Sequence, residues 1–133
     1  MSRPPARPSE RRARGDAAED RAAAFLEEHG FTVLERNYLT RRGEVDLVAE
    51  KGEVLAFVEV RSRSGAAFGS PAETVSLAKR RRVIAAATEW AARAGLIDSR
   101  AIRFDVISVI DRADDEPEIE WIPAAFDATG API

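Results

Sequence analysis

Two carboxylates interrupt what should be apolar strand. In "GEVDLVAEKGEVLAFVEVRSR", Gly43 to Arg63, Asp46 and Glu59 sit among Val, Leu, Ala and Phe. Charged groups in such a setting are costly unless something compensates them. Side chains alternate along a strand, so Leu55, Phe57, Glu59, Arg61 and Arg63 share one face, and Glu44, Asp46, Val48 and Glu50 go together on the strand before. A turn centred on Lys51 and Gly52 predicts Glu50 opposite Glu53, Asp46 opposite Phe57 and Glu44 opposite Glu59. Asp46 and Glu59 are then diagonal neighbours.

Two carboxylates about 4 Å apart repel by roughly 4 kcal/mol at an effective dielectric near 20. Either one keeps a proton or a cation lies between them. Arg61 is one candidate cation. A hard divalent ion, Mg2+ or Mn2+, is the other, because oxygen ligands suit it. Two plainer arrangements stay open: a salt bridge from Glu59 to Arg61 or Arg63 on a solvated face, and an exposed edge for Asp46. The flanking Val45, Leu47, Phe57, Val58 and Val60 argue for a central, partly buried strand pair.

The elements that position these groups follow from periodicity. Residues 1–14 read as a flexible basic arm, Asp16 to Glu28 as a helix ended by Gly30, and "FTVLERNY" as a first strand. His29 falls in the last helical turn, where it meets the final carbonyls rather than a metal. "TRRG" is a turn, "EVDLVAE" and "EVLAFVEVRSR" are strands, and "SGAAFGSPAE" is a loop. A long helix spans Thr74 to Ala94, with Val83, Ala87, Trp90, Ala91 and Ala94 on its buried stripe. "AIRFDVISVID" is a fourth strand, "DRADDEPE" a turn and "IEWIPAAF" a short edge strand; the tail after Asp127 is expected to fray. Residues 15–126 therefore form one mixed α/β (α+β) domain, in the order α-β-β-β-α-β(-β), with helices on a small mixed sheet. The connection through the second helix allows the fourth strand to join in parallel.

Composition excludes several chemistries. The 133-residue chain has no Cys and a single His, so it has no thiolate site, no disulfide and no multi-His metal site. Its longest uninterrupted apolar run is strand-sized, which predicts no membrane span and a cytoplasmic location. The net charge of −3 does not announce a nucleic-acid binder, but the charge is segregated. Arginines crowd the N-terminal arm, and Lys79, Arg80, Arg81 and Arg82 form a second basic run. Only Lys51 and Lys79 are lysines. Lys79 lies one turn before Val83, which aims it inward.

The motifs together resemble the PD-(D/E)XK nucleases, and more narrowly the bacterial YraN-like family, which is placed near archaeal Holliday junction resolvases. The resemblance rests on "GDAAEDRAAAFLEEHGFTVLERNY", "GEVDLVAEKGEVLAFVEVRSRSGAAFGSPAETVSLAKRRRV" and "RFDVISV", and spans Gly15 to about Ile110. It implies a restriction-endonuclease-like core. It also implies a Mg2+ or Mn2+ site built from Asp46, Glu59, the Val60 carbonyl and Glu19 of the first helix. Lys79 matches a family lysine at the start of the second helix. Position 61 departs from the pattern: the family carries Lys and this chain has Arg61, which keeps its charge but cannot serve as a base.

The expected activity is metal-dependent phosphodiester hydrolysis in nucleic acid, with DNA favoured over RNA and branched or structured DNA within its range. Asp46, Glu59, Arg61 and Lys79 would be catalytic, and Arg41, Arg42, Arg63 and Arg80 to Arg82 would grip backbone. A non-catalytic nucleic-acid-binding module and a protein-interaction domain are the alternatives, and a homodimer is compatible with either.

Overall fold

The central strands carry apolar residues on both sides, so both faces of the sheet need cover, and two helices supply it. The computed structural model describes residues 10–64, 75–113 and 115–132. In chain order the elements are α1 (Glu10–Glu28), β1 (Thr32–Leu39), β2 (Glu44–Lys51), β3 (Val54–Ser64), α2 (Leu77–Ala94), β4 (Ala101–Arg112) and β5 (Asp115–Phe126). The sheet order is β1-β2-β3-β4-β5. All neighbours are antiparallel except β3 and β4, which run parallel because α2 crosses between them. The mixed α/β class and the element order are those read from the sequence.

Several boundaries differ. α1 begins at Glu10, inside the stretch expected to be a flexible arm, whose first nine residues lie outside the described residues. β5 starts at Asp115, because the acidic "DEPE" pairs with the end of β4 instead of turning, as in Ile110↔Glu118 and Arg112↔Asp115. The tail expected to fray is tied down. Asp127 donates its N–H to the Ala131 carbonyl, Pro132 bridges to Phe126, and Arg80 donates to the Gly130 carbonyl at 2.7 Å. The loop expected over "SGAAFGSPAE" lies almost wholly outside the described residues.

One core cluster lies under α2. It joins Val83, Ala86, Ala87 and Ala91 to Val45, Val48, Leu55, Phe57, Phe104 and Val106. The other lies under α1, joining Ala18, Ala22, Ala23 and Leu26 to Leu47, Ala49, Ala56, Val58, Ile107 and Val109. Trp90 is half-buried against the first cluster, while Ala94, expected on the stripe, is exposed. Asp105 is a fully buried carboxylate that the structure satisfies completely. Arg103 binds it with two nitrogens, at 2.8 and 2.9 Å, and Trp121 Nε1 and the Ala124 N–H complete its shell. This network joins β4 to β5 and contrasts with what surrounds Glu59.

Two short-range devices seat the start of α2 beside the β1–β2 turn. Ser76 caps the helix by accepting the Lys79 N–H at 3.1 Å. In the turn, the Thr40 hydroxyl accepts the N–H groups of Arg42 and Gly43 and donates to the Gly43 carbonyl, so Arg41 and Arg42 project from a stapled loop. Gly43 touches the helix directly: a Cβ there would stand 2.1 Å from the Arg82 carbonyl oxygen. Gly43→Ala is therefore expected to push the turn off α2 and to destabilise the fold by about 1–3 kcal/mol, read as a lower urea midpoint at unchanged m. An unchanged midpoint would show that this approach carries no strain.

Candidate functional site

The register of β2 and β3 is two residues away from the one expected. Lys51 pairs with Val54, Glu50 with Leu55 and Leu47 with Val58, because the loop is Gly52–Glu53 rather than Lys51–Gly52. Continuing this ladder would bring Asp46 directly opposite Glu59. The ladder instead stops at Leu47↔Val58. Beyond it, Asp46 Oδ2 accepts the Val60 N–H at 2.8 Å, so a carboxylate takes the place of a strand carbonyl. In a strand, the N–H and C=O of one residue point toward the same neighbour. The Val60 carbonyl thus also faces the gap that β2 leaves.

A break in alternation explains why Asp46 turns inward. Leu47 packs under α1, but Val45, two residues away, packs under α2. On β1 the same change occurs across Asn37: Arg36 reaches α1, whereas Tyr38 packs with the α2 side. Asn37 has φ +54° and stands opposite Asp46 between the pairs Arg36↔Leu47 and Tyr38↔Val45. Both strands therefore switch faces at this one level, and Asp46 sits at the fork.

Glu59 is 1% exposed. Apart from the Lys79 amine and the Asp46 carboxyl beside it, no hydrogen-bond partner reaches its oxygens among the described residues. Lys79 Nζ lies 2.8 Å from Glu59 Oε1, a close ion pair. Burial pushes the Glu59 carboxyl up to about 8. The neighbouring Asp46 adds to the rise and Lys79 opposes it. The cation beside Glu59 is thus Lys79, on the inward face of its helix as its spacing predicted, and neither Arg61 nor Arg63 is the partner in that contact.

Arg61 is half-buried on the same strand and pairs in register with Ser108 of β4. Ser108 is fully buried and its hydroxyl has no partner among the described residues. It lies on the Glu59 side of the sheet, and its small polar type inside "DVISVI" was the only sequence signal for it. Arg63 follows on the same face.

Glu19 does not close a three-acid cluster. It reaches from α1, on the opposite side of the sheet from Lys79. Its carboxyl is raised first by burial and then by Asp46, while a hydrogen bond from Asn37 and the charge of Arg36 lower it. Arg36 holds Asp20 at 2.6 Å and stands 3.8 Å from Glu19. Among the described residues no group of three or more His, Cys, Asp or Glu side chains is arranged to hold a metal ion. Asp46 and Glu59 offer two carboxylates with the Val60 carbonyl beside them. That donor set fits Mg2+ or Mn2+, since such ions often take only one or two protein carboxylates and complete their shell with water and phosphate.

The basic residues divide. Arg41 and Arg42 from the turn, and Lys79 and Arg82 from one face of α2, line a cleft of about 300 Å3. Arg80 points away to the Gly130 carbonyl, and Arg81 is exposed and outside that cleft. The helical repeat sets residues 79 and 82 on one face, and the β1–β2 turn lies against that face. His29 Nδ1 lies 2.8 Å from the Phe25 carbonyl, in the helix-end role expected of it.

The model of the uncharacterised protein family UPF0102 matches residues 18–109. A UPF0102 protein of Anaeromyxobacter dehalogenans is 57% identical over 122 residues, covering 92% of this chain and 90% of the relative. One from Myxococcus xanthus is 47% identical over 123 residues, covering 92% and 96%. One from Rhodococcus jostii is 44% identical over 112 residues, covering 84% and 94%. The matched span holds Glu19, Asp46, Glu59, Arg61 and Lys79.

The raised Glu59 carboxyl has a signed consequence for stability. Its folded value of about 8 exceeds its ordinary value of 4.5. Between those two values only the folded state keeps the proton, so rising pH removes stability across that window and no further above it. In metal-free buffer the melting temperature is expected to fall from about pH 5 to about pH 8, and Glu59→Gln to flatten the fall. A variant with the same pH slope as wild type would show that Glu59 is not the group responsible.

Proposed function

This chain belongs to the uncharacterised protein family UPF0102, and from the geometry of its own site we propose that it is a divalent-cation-dependent nuclease that hydrolyses phosphodiester bonds. One observation carries the reading. The Glu59 carboxyl is buried beside a second acid, Asp46, and against the Lys79 amine, and Lys79 also lines the arginine-bearing cleft. A group needed only for stability would be satisfied as Asp105 is. A buried acid set against a second acid, with a single amine at it, is suited to a cation that arrives from outside.

Asp46 and Glu59 would hold Mg2+ or Mn2+ with the Val60 carbonyl, and Glu19 would act on Asp46 from behind. The bound cation supplies charge neutralisation at the phosphoryl oxygens. Lys79 and Arg61 bring positive charge to the same point and stabilise the negative charge that develops during displacement. With Arg at position 61, Lys79 is the one amine beside Glu59. Arg41, Arg42 and Arg82 grip backbone phosphates without reading bases. DNA is the favoured substrate, by likeness to the PD-(D/E)XK nucleases.

Arg61 also favours a second reading, a nucleic-acid-binding module that retains the site but does not cut. Calorimetry and cleavage separate the two. Mn2+ binding to wild type is expected to disappear in Asp46→Ala and in Glu59→Ala with circular dichroism unchanged; equal affinity in all three proteins would remove the metal site. Lys79→Ala is expected to slow cleavage of branched or nicked DNA by about a hundredfold, and Arg61→Lys to restore or raise it. Metal binding with no cleavage, even by Arg61→Lys, would establish the non-cutting module.

A further inference from the structure

The arginine-lined cleft does not end at Arg82. It opens into a second cavity of about 1000 Å3 that shares Leu39, Thr40, Arg41 and Arg42 with it. Together the two make a trough along α2, from Lys79 to Arg93. Those fourteen helical steps span about 21 Å, the length of about six stacked nucleotides at 3.4 Å each.

Charge and shape along the trough are uneven. Its walls carry Arg41, Arg42, Lys79, Arg82 and Arg93 against Glu44 and Glu89. Glu89 stands a loose 3.6 Å from Arg93, whose side chain is 72% exposed and open to another anion. Ala85, Thr88 and Ala92 also line the wider part, and their small side chains leave room there. From β1 it is lined by Tyr38, partly buried against the α2-side core, and by Leu39, which is 75% exposed. An exposed leucine next to a tyrosine and above a run of cations is poorly placed for water and well placed for a flat apolar surface.

We propose that this trough binds a single strand of nucleic acid leading away from the Asp46–Glu59 site, phosphates toward Arg41, Arg42, Arg82 and Arg93, and bases against Tyr38 and Leu39. The proposal rests on the nuclease reading for where the strand begins. Cations that follow the backbone, combined with apolar or aromatic side chains on which bases lie, are the recurring means of holding single strands. A duplex hides its base faces within the stack and offers Leu39 and Tyr38 nothing to cover. The substrate class is then a nucleic acid with a single-stranded arm, such as a flap, a fork or a frayed end.

Anisotropy titrations in EDTA test this on the full chain carrying Glu59→Gln, with a short labelled oligothymidylate and a blunt duplex of equal length. The oligothymidylate is expected to bind at least about tenfold more tightly. Arg93→Ala should weaken it and reduce the salt slope by about 0.7, and Leu39→Ser should weaken it several-fold without changing the circular dichroism. Equal affinity for duplex and single strand would overturn the proposal, as would unchanged single-strand affinity in the Leu39→Ser/Arg93→Ala double variant. Mn2+-dependent cleavage by wild type is scored separately. Single-strand binding without cleavage removes the nuclease and leaves the trough; cleavage with binding indifferent to Leu39 and Arg93 does the reverse.

Discussion

The hydrogen bond from the Val60 N–H to Asp46 determines the shape of everything around it. An antiparallel ladder normally passes each N–H to a carbonyl of the neighbouring strand. Here the neighbour leaves after Leu47, and a side-chain carboxylate completes the ladder in its place. That single exchange keeps β3 satisfied while opening a gap beside it. It also puts a second carboxylate against Glu59, which is already buried under α2. The two cannot both be charged there at low cost unless positive charge is close.

Lys79 meets that requirement in the protein alone, and its position depends on features remote from Glu59. Ser76 starts the helix at the right residue, Gly95 ends it in a left-handed conformation, and the Asp127 turn anchors the first helical turns through Arg80. Gly43 lets the Thr40–Gly43 turn lie directly on the Arg82 carbonyl. Basic side chains from a turn and from a helix 40 positions further along the chain thereby line one cleft. The ion pair of Lys79 with Glu59 is a single contact, which leaves Glu59 able to take a further cation.

Asp105 gives an internal comparison. Both it and Glu59 are buried acids on adjacent parallel strands. Asp105 is enclosed by an arginine that binds it through two nitrogens, an indole and a backbone N–H, and these donors come from β4 and β5. Glu59 has an amine on one side, a second acid on another, and on the same face the hydroxyl of Ser108, which has no partner among the described residues. The first is an acid used to hold strands together. The second is left with capacity to bind.

The sequence by itself determined the element order, the room for a parallel fourth strand, and the inward aim of Lys79. All of these follow from periods of 2 and 3.6 and from the length of a crossover, which are local properties of the chain. Tertiary structure decided the register, the fork at Asp46, the separation of Glu19 across the sheet, and the division of Lys79 and Arg82 from Arg80 and Arg81. A two-residue slip preserves alternation, so pattern cannot detect it. The switch of faces depends on Asn37 and Asp46 meeting across two strands, a contact no local repeat encodes. Which arginines share a cleft depends on the turn that lies against their helix, and that was settled by the missing side chain of Gly43.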